Sequence, residues 1–396
     1  MVVRTAAFLM VLALAVSGCG ESSIAKTELA EVVVRDGVPF DLGNVSTTVI
    51  DWLADHRVVV IGETHLIREQ RQLTAAVVEA LHARGYRQLL LEWPHFADWV
   101  MSDFVIDGDR GDAAWRPPTW LYGDLLTAIR DFNRSLPTEE KVVVRGIDVN
   151  LDEYGGATDF LASLGGLSRR LADPGPLDAF LQSDYETADE QTTALATLRD
   201  ELDARRPELL GMWGDDWYQT ISEMIDIETE SVPIRTARED NYDASAADRE
   251  DVMKRICDRL IGATEGGTVI NVGGNHAQKE RLMGTEHEWL GDYLVNRSPV
   301  AAGDTIVVSV VPAKVTADYP TDLPDFDVLD KSPDNELFRL IAETWPAQRV
   351  FLPFDDPLFA LDGVPMNYEG TIRITAPKLH YDAIVVLPLT HRIPLP

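Results

Sequence analysis

Seven short stretches of this sequence are continuously rather than alternately apolar, with few polar residues: "RVVVIG", "QLLLEW", "KVVVRGI", "GTVINVGG", "DTIVVSVV", "QRVFLPF" and "DAIVVLPL". A strand with one wet face alternates polar and apolar residues, because successive side chains point to opposite sides. Runs without alternation need cover on both faces, as in a parallel sheet with helices on each side. Helical patterns fill the intervals. In "REQRQLTAAVVEALHARGY", Leu73, Val77, Ala80 and Leu81 form one stripe, and Gly85 stands where a C-terminal cap belongs. Strand, helix and strand at this spacing predict an α/β fold, a largely parallel central sheet flanked by helices. Two long helical insertions, at about 94–140 and 165–250, interrupt the pattern and are expected to cover the carboxyl ends of the strands. The first is rich in aromatic residues, Trp99 among them; the second carries the amphipathic stretch "GMWGDDWYQTISEMIDIE".

The first nineteen residues read as a lipoprotein signal peptide. Arg4 supplies a positive start, and Ala6 to Val16 form an apolar run too short to span a bilayer. Val16-Ser17-Gly18-Cys19 then resembles a lipobox. Cys19 would become the lipidated mature N-terminus, with its acyl chains held in the lipid bilayer of a cell envelope. Gly20 in place of an aspartate favours the outer membrane of a two-membrane bacterium, facing the periplasm or the surface. Residues 20–45 read as a tether, and 46–396 as a single α/β domain that includes the final strand. The other cysteine, Cys257, lies on an apolar helical face and reads as a buried small hydrophobe. A net charge of −31 argues against nucleic acid as a partner, since binding a phosphate backbone needs Lys and Arg to displace counterions.

Four of the apolar runs end in ionisable groups. The first ends in Gly62-Glu63-Thr64-His65, the second in Glu92 before Pro94, the third in Gly146-Ile147-Asp148, and the fourth in Gly273-Gly274-Asn275-His276. In an α/β sheet such ends gather above one edge. Glu63 and His65 share a face if the strand persists through Thr64. Two imidazoles with carboxylates suit a divalent ion such as Zn, Mn or Fe, with Glu63, His65, Glu92 and His276 as ligands. The same four also suit catalysis without metal, Glu63 and His65 forming a general base and its orienting partner. Glycines 273 and 274 would let a ligand approach the backbone closely. Asp148 reads more readily as a turn residue or helix N-cap. Asn275 is a secondary candidate, and His95 an outside one.

The order of these signatures resembles the superfamily that contains erythromycin esterases and ChaN-like haem-binding lipoproteins, with Tiki-type metalloproteases more distant. GETH is followed by a long helix and an apolar strand ending in Glu. The resemblance continues at "VVVRGID", at "DREDVMKRI", where Arg249, Glu250 and Met253 match a recurrent R-E-x-x-M helix, and at "GGNHAQK". It covers roughly residues 50–300. It implies a hydrolase of an ester or amide bond acting on a small-molecule substrate, with or without a divalent metal. Glu63, His65, Glu92 and His276 match the positions that serve metal binding or water activation in esterase-like members. The alternative it implies is a lipoprotein that binds haem or another cofactor without catalysis. The two-residue Glu–His spacing is closer to the ChaN-like pattern than to the three-residue spacing usual in esterases. Haem binding in that branch needs an axial ligand, to which the motifs assign no residue.

Overall fold

Alternate residues of each central strand enter different apolar cores. Val59, Ile61, Leu89 and Leu91 belong to one, and Val58, Val60, Leu90, Ile270 and Val272 to the other. Both faces of the sheet are therefore dry, which is why the runs do not alternate. The computed structural model describes residues 26–107, 119–152, 156–183, 185, 187–238, 241–280, 287–319, 325–331, 335–362, 364, 366–368 and 372–393. Cys19 and the signal segment lie outside the described residues.

All seven apolar runs are strands of one eight-stranded sheet. In chain order its strands are β1 (Val38–Phe40), β2 (Val58–Glu63), β3 (Tyr86–Pro94) and β4 (Val143–Asp148), then β5 (Gly267–Gly273), β6 (Thr305–Pro312), β7 (Arg349–Pro353) and β8 (Ala383–Leu387). Across the sheet the order is β1-β7-β8-β6-β2-β5-β3-β4. Six neighbours, β8 through β4, pair in parallel, while β7 is antiparallel to both β8 and β1. Strand β5 returns between β2 and β3, so the carboxyl ends of β2, β5, β3 and β4 lie side by side.

Helices cover each face. The Arg68–His82 helix sends Leu73, Val77, Val78 and Leu81 into one core, and the Tyr242–Gly262 helix sends Val252, Met253, Ile256 and Cys257 into the other. Gly85 follows the first helix at φ +91°, a left-handed position that suits glycine. Cys257 is fully buried, and burial pushes its thiol well above the ordinary range, so it is an inert hydrophobe. The second helical block is longer than its sequence pattern indicates, running from Gly156 to Gly262. Among the described residues no helix is long and apolar enough to cross a membrane.

The tether expected over 20–45 requires correction from Lys26 onward. Residues Lys26–Asp36 form a helix with Leu29, Val32 and Val33 buried, and β1 pairs with β7 at the sheet edge. A short amphipathic segment is indistinguishable from a linker until its partner, here the helix Glu336–Thr344 and β7, is folded beside it.

Candidate functional site

The four polar strand ends meet in one cluster. Glu63 is the last residue of β2 and Asp148 the last of β4; Glu92 lies near the end of β3, and His276 follows β5 in a one-turn helix, Gly274–Ala277. Strand geometry stops at Glu63, however, and does not continue through Thr64. The chain turns instead, and Leu66 adopts φ 66°, unusual for a residue with a Cβ. The C-terminal segment pins this turn: the Ile393 amide donates to the Leu66 carbonyl at 2.8 Å, and Glu69 accepts from the His391 amide at 2.7 Å. The turn still brings His65 Nδ1 to 3.2 Å from Glu63 Oε1. Its Nε2 lies 3.8 Å from Glu92 Oε2, and the side chain is 47% exposed while Glu63 and Glu92 are buried.

Two arginines enter from opposite faces of the sheet and neutralise the carboxylates. Arg71, from the first turn of the Arg68–His82 helix, places Nη2 3.1 Å from Glu63 Oε1 and stacks its guanidinium 3.8 Å from the Tyr122 ring centroid. Arg249 donates Nε to Asp148 Oδ1 at 2.8 Å and Nη2 to both Asp148 Oδ2 at 2.6 Å and Glu92 Oε1 at 2.7 Å. Asp148 is thus the buried partner of an arginine, not the turn residue or N-cap that its sequence setting favours. Glu63 Oε2 accepts from Asn271 Nδ2 at 2.7 Å, and Glu92 Oε2 accepts from the Gly273 amide at 2.6 Å.

His276 is enclosed by carboxylates. Its Nδ1 hydrogen-bonds Glu250, and its Nε2 is 3.2 Å from Glu92 Oε1. Burial alone would lower its pKa, but Glu92 and Glu250 outweigh burial and raise it to about 10. It is therefore an imidazolium at neutral pH. Burial favours the neutral form of Glu92, yet His276, His65 and Arg249 hold its carboxyl well below the usual range. Glu63 is likewise lowered, since Arg71 and His65 more than offset burial. For His65 burial pulls the pKa down, but Glu92 and Glu63 leave it raised.

This donor set does not fit a divalent metal. Both nitrogens of His276 already face carboxylates, Nδ1 that of Glu250 and Nε2 that of Glu92 at 3.2 Å. The carboxylates of Glu63 and Glu92 already accept from guanidinium, imidazole or N–H donors. Among the described residues no group of three or more His, Cys, Asp or Glu is arranged to hold an ion. The expectation that Glu63, His65, Glu92 and His276 form a metal site is corrected on these grounds: the residues converge, but arginines occupy the electrostatic place of the cation.

Glycine 273 is needed at this spot. A Cβ there would lie 2.7 Å from His65 Nε2 and 3.2 Å from Glu92 Oε2. At Gly62 a Cβ would come within 2.8 Å of Ala277 Cβ, so the one-turn helix carrying His276 can lie directly against β2. Asn275 lies next to His276, its Oδ1 buried with no hydrogen-bond partner among the described residues. His95 is engaged elsewhere, hydrogen-bonded through Nδ1 to the Gly146 carbonyl at 2.8 Å and 3.6 Å from Glu223.

Four participants escape a motif-based reading: Arg71, Tyr122, Asn271 and the partner role of Glu250. Asn271 did leave a signal, an amide inside the apolar run "GTVINVGG". Arg71 left a weaker one, a cation on a helix face that should be apolar.

Several solved structures share this fold. A protein from Bacillus cereus superposes with a TM-score of 0.68 at 14% identity, over 94% of this chain and 100% of that one. A mutant of the erythromycin esterase EreC, in its open conformation, gives 0.60 at 15% identity, over 88% and 94%. A succinoglycan biosynthesis protein gives 0.60 at 10% identity, over 93% and 98%. The chain has an EreC-like α/β fold. No protein-family model matches its sequence, and no curated protein does.

Proposed function

We propose that this protein hydrolyses an ester or amide bond of a small molecule, with His65 as general base. The observation that carries this reading is the contrast at His65. Its side chain is half-exposed, whereas its Nδ1 faces the buried carboxylate of Glu63 at 3.2 Å. With Nδ1–H donated to Glu63, Nε2 carries the lone pair on the ring edge that lies 3.8 Å from Glu92 Oε2, and it takes a proton from water as the water attacks a carbonyl carbon. The imidazolium so formed is stabilised by Glu63 and Glu92. It then returns the proton to the leaving oxygen or nitrogen as the carbon–heteroatom bond breaks. His276 contributes fixed positive charge rather than base strength, a preorganised field at the closed end of the cluster.

The pH profile tests the assignment. His65 must be neutral to act, and its pKa is raised above the ordinary 6.5. Activity against an ester panel should therefore climb with pH along a limb centred above 6.5. It should fall again near pH 10, where His276 loses its charge. An acid limb in the carboxylate range would move the base to a glutamate and overturn the assignment. A haemin titration giving a His65-dependent Soret shift, with no hydrolysis of the panel, would replace this reading with cofactor binding.

The same proposal places the enzyme in the cell envelope, anchored through an acylated Cys19. Palmitate labelling should mark the wild-type chain and be lost in Cys19→Ser. Unlabelled wild type would remove the anchor.

A further inference from the structure

The two helical insertions meet around a cavity of about 510 Å³, lined by none of the cluster residues. Trp99 and Asp103 come from the Asp98–Asp107 helix, and Trp213 to Trp217 from the "WGDDW" turn between the helices Arg206–Trp213 and Asp215–Arg238. Gly214 makes that turn at φ +80°, a conformation few other residues would adopt. Trp99 and Trp217 meet edge to face with centroids 6.4 Å apart. Both deeper indole donors are already used: Trp99 Nε1 donates to Ser163 Oγ at 2.9 Å, and Trp213 Nε1 to the Asp173 carbonyl at 2.7 Å. Trp99 and Trp213 are largely buried, so the partly exposed Trp217 is the ring that presents most π surface to the cavity.

The charges around this cavity do not cancel. Asp98 is paired with Arg145 at 2.6 Å, and Asp103 with Arg170, whose guanidinium lies 4.5 Å from the Trp99 ring centroid. Asp215 accepts from the neutral Gln219 amide at 3.1 Å, and neither it nor Asp216 has a basic partner among the described residues. The rest of the polar lining is the Arg145 guanidinium, which pairs with Asp98 through Nε, and the hydroxyls of Thr220 and Ser102, the latter donating to the Val144 carbonyl at 2.8 Å.

We propose that this cavity is a binding site for a small organic cation, of the tertiary or quaternary ammonium class. Indole π-systems attract a weakly hydrated cation, and the uncancelled carboxylates of Asp215 and Asp216 supply its countercharge. Arg170 over Trp99 is the same kind of contact made within the chain. The acidity of the whole protein, net −31, draws cations toward it.

The test uses the full chain, with choline as probe and its uncharged isostere 3,3-dimethylbutan-1-ol as control, followed by tryptophan fluorescence and calorimetry. Choline should bind saturably and at least about tenfold more tightly than the isostere. The double variant Asp215→Asn with Asp216→Asn should weaken choline at least about fivefold, and Trp217→Leu should weaken it further. Both aspartates are exposed, so the double variant keeps the comparison interpretable if the tryptophan variant unfolds. Binding should persist unchanged in His65→Ala, which separates this site from the hydrolytic one. Equal binding of the isostere, a titration without saturation, or indifference to the aspartate variants would overturn the proposal.

Discussion

Replacing Arg249 by methionine is expected to destabilise the protein by about 3–5 kcal/mol, the usual cost of removing one partner from a buried ion pair. The guanidinium bonds both oxygens of Asp148 and one of Glu92, and all three side chains are buried. Without it, Asp148 and Glu92 either keep uncompensated charge in a dry environment or take up protons. Methionine fills much of the volume, so the loss reports charge rather than a cavity. Denaturant unfolding measures it as a lowered midpoint at unchanged slope. Combining Arg249→Met with Asp148→Asn should be far less harmful than the sum of the singles, because the stranded charge is then removed. A single-variant loss below about 1 kcal/mol, the range of exposed pairs, would mean that water reaches this cluster.

His65→Ala should behave in the opposite way. Hydrolysis of the esters cleaved by the wild type should fall by about 10²- to 10⁴-fold, the range attributed to a positioned general base. Stability should change by only about 0.5 kcal/mol, because the side chain is half-exposed and fills no core space. Steady-state kinetics and denaturant unfolding on the same preparation separate the two effects. Activity within threefold of wild type would exclude His65 as the base.

Much of the architecture is legible before any coordinates. A strand buried on both faces is apolar at most positions rather than at alternate ones, and that local rule marks all seven runs and predicts a largely parallel sheet. The same logic marks Glu63, Glu92, Asp148 and His276, because an ionisable group at the end of a dry strand is conspicuous. Their convergence follows from the fold class, in which parallel strands end along one edge.

Which partner each of them takes depends on contacts that no local pattern encodes. Arg71 and Arg249 belong to helices on opposite faces of the sheet, and only their packing brings them to Glu63 and to Glu92 with Asp148. That pairing turns an expected metal site into a network neutralised by guanidinium groups, and it turns Asp148 from a turn residue into a buried anion. His276, equally suited by sequence to be a ligand or a base, becomes a fixed cation because Glu92 and Glu250 close on both its nitrogens. The Lys26–Asp36 helix is a linker until β7 and the Glu336–Thr344 helix give its apolar face somewhere to go. The sequence by itself determined the strands, the sheet class and the set of polar groups at its edge, since those follow from which residues tolerate burial. Only the tertiary structure decided their partners and charge states, since a buried carboxylate or imidazole takes its chemistry from the groups within a few ångströms, and the chain brings Arg249 to Asp148 and Glu92 from more than a hundred residues away.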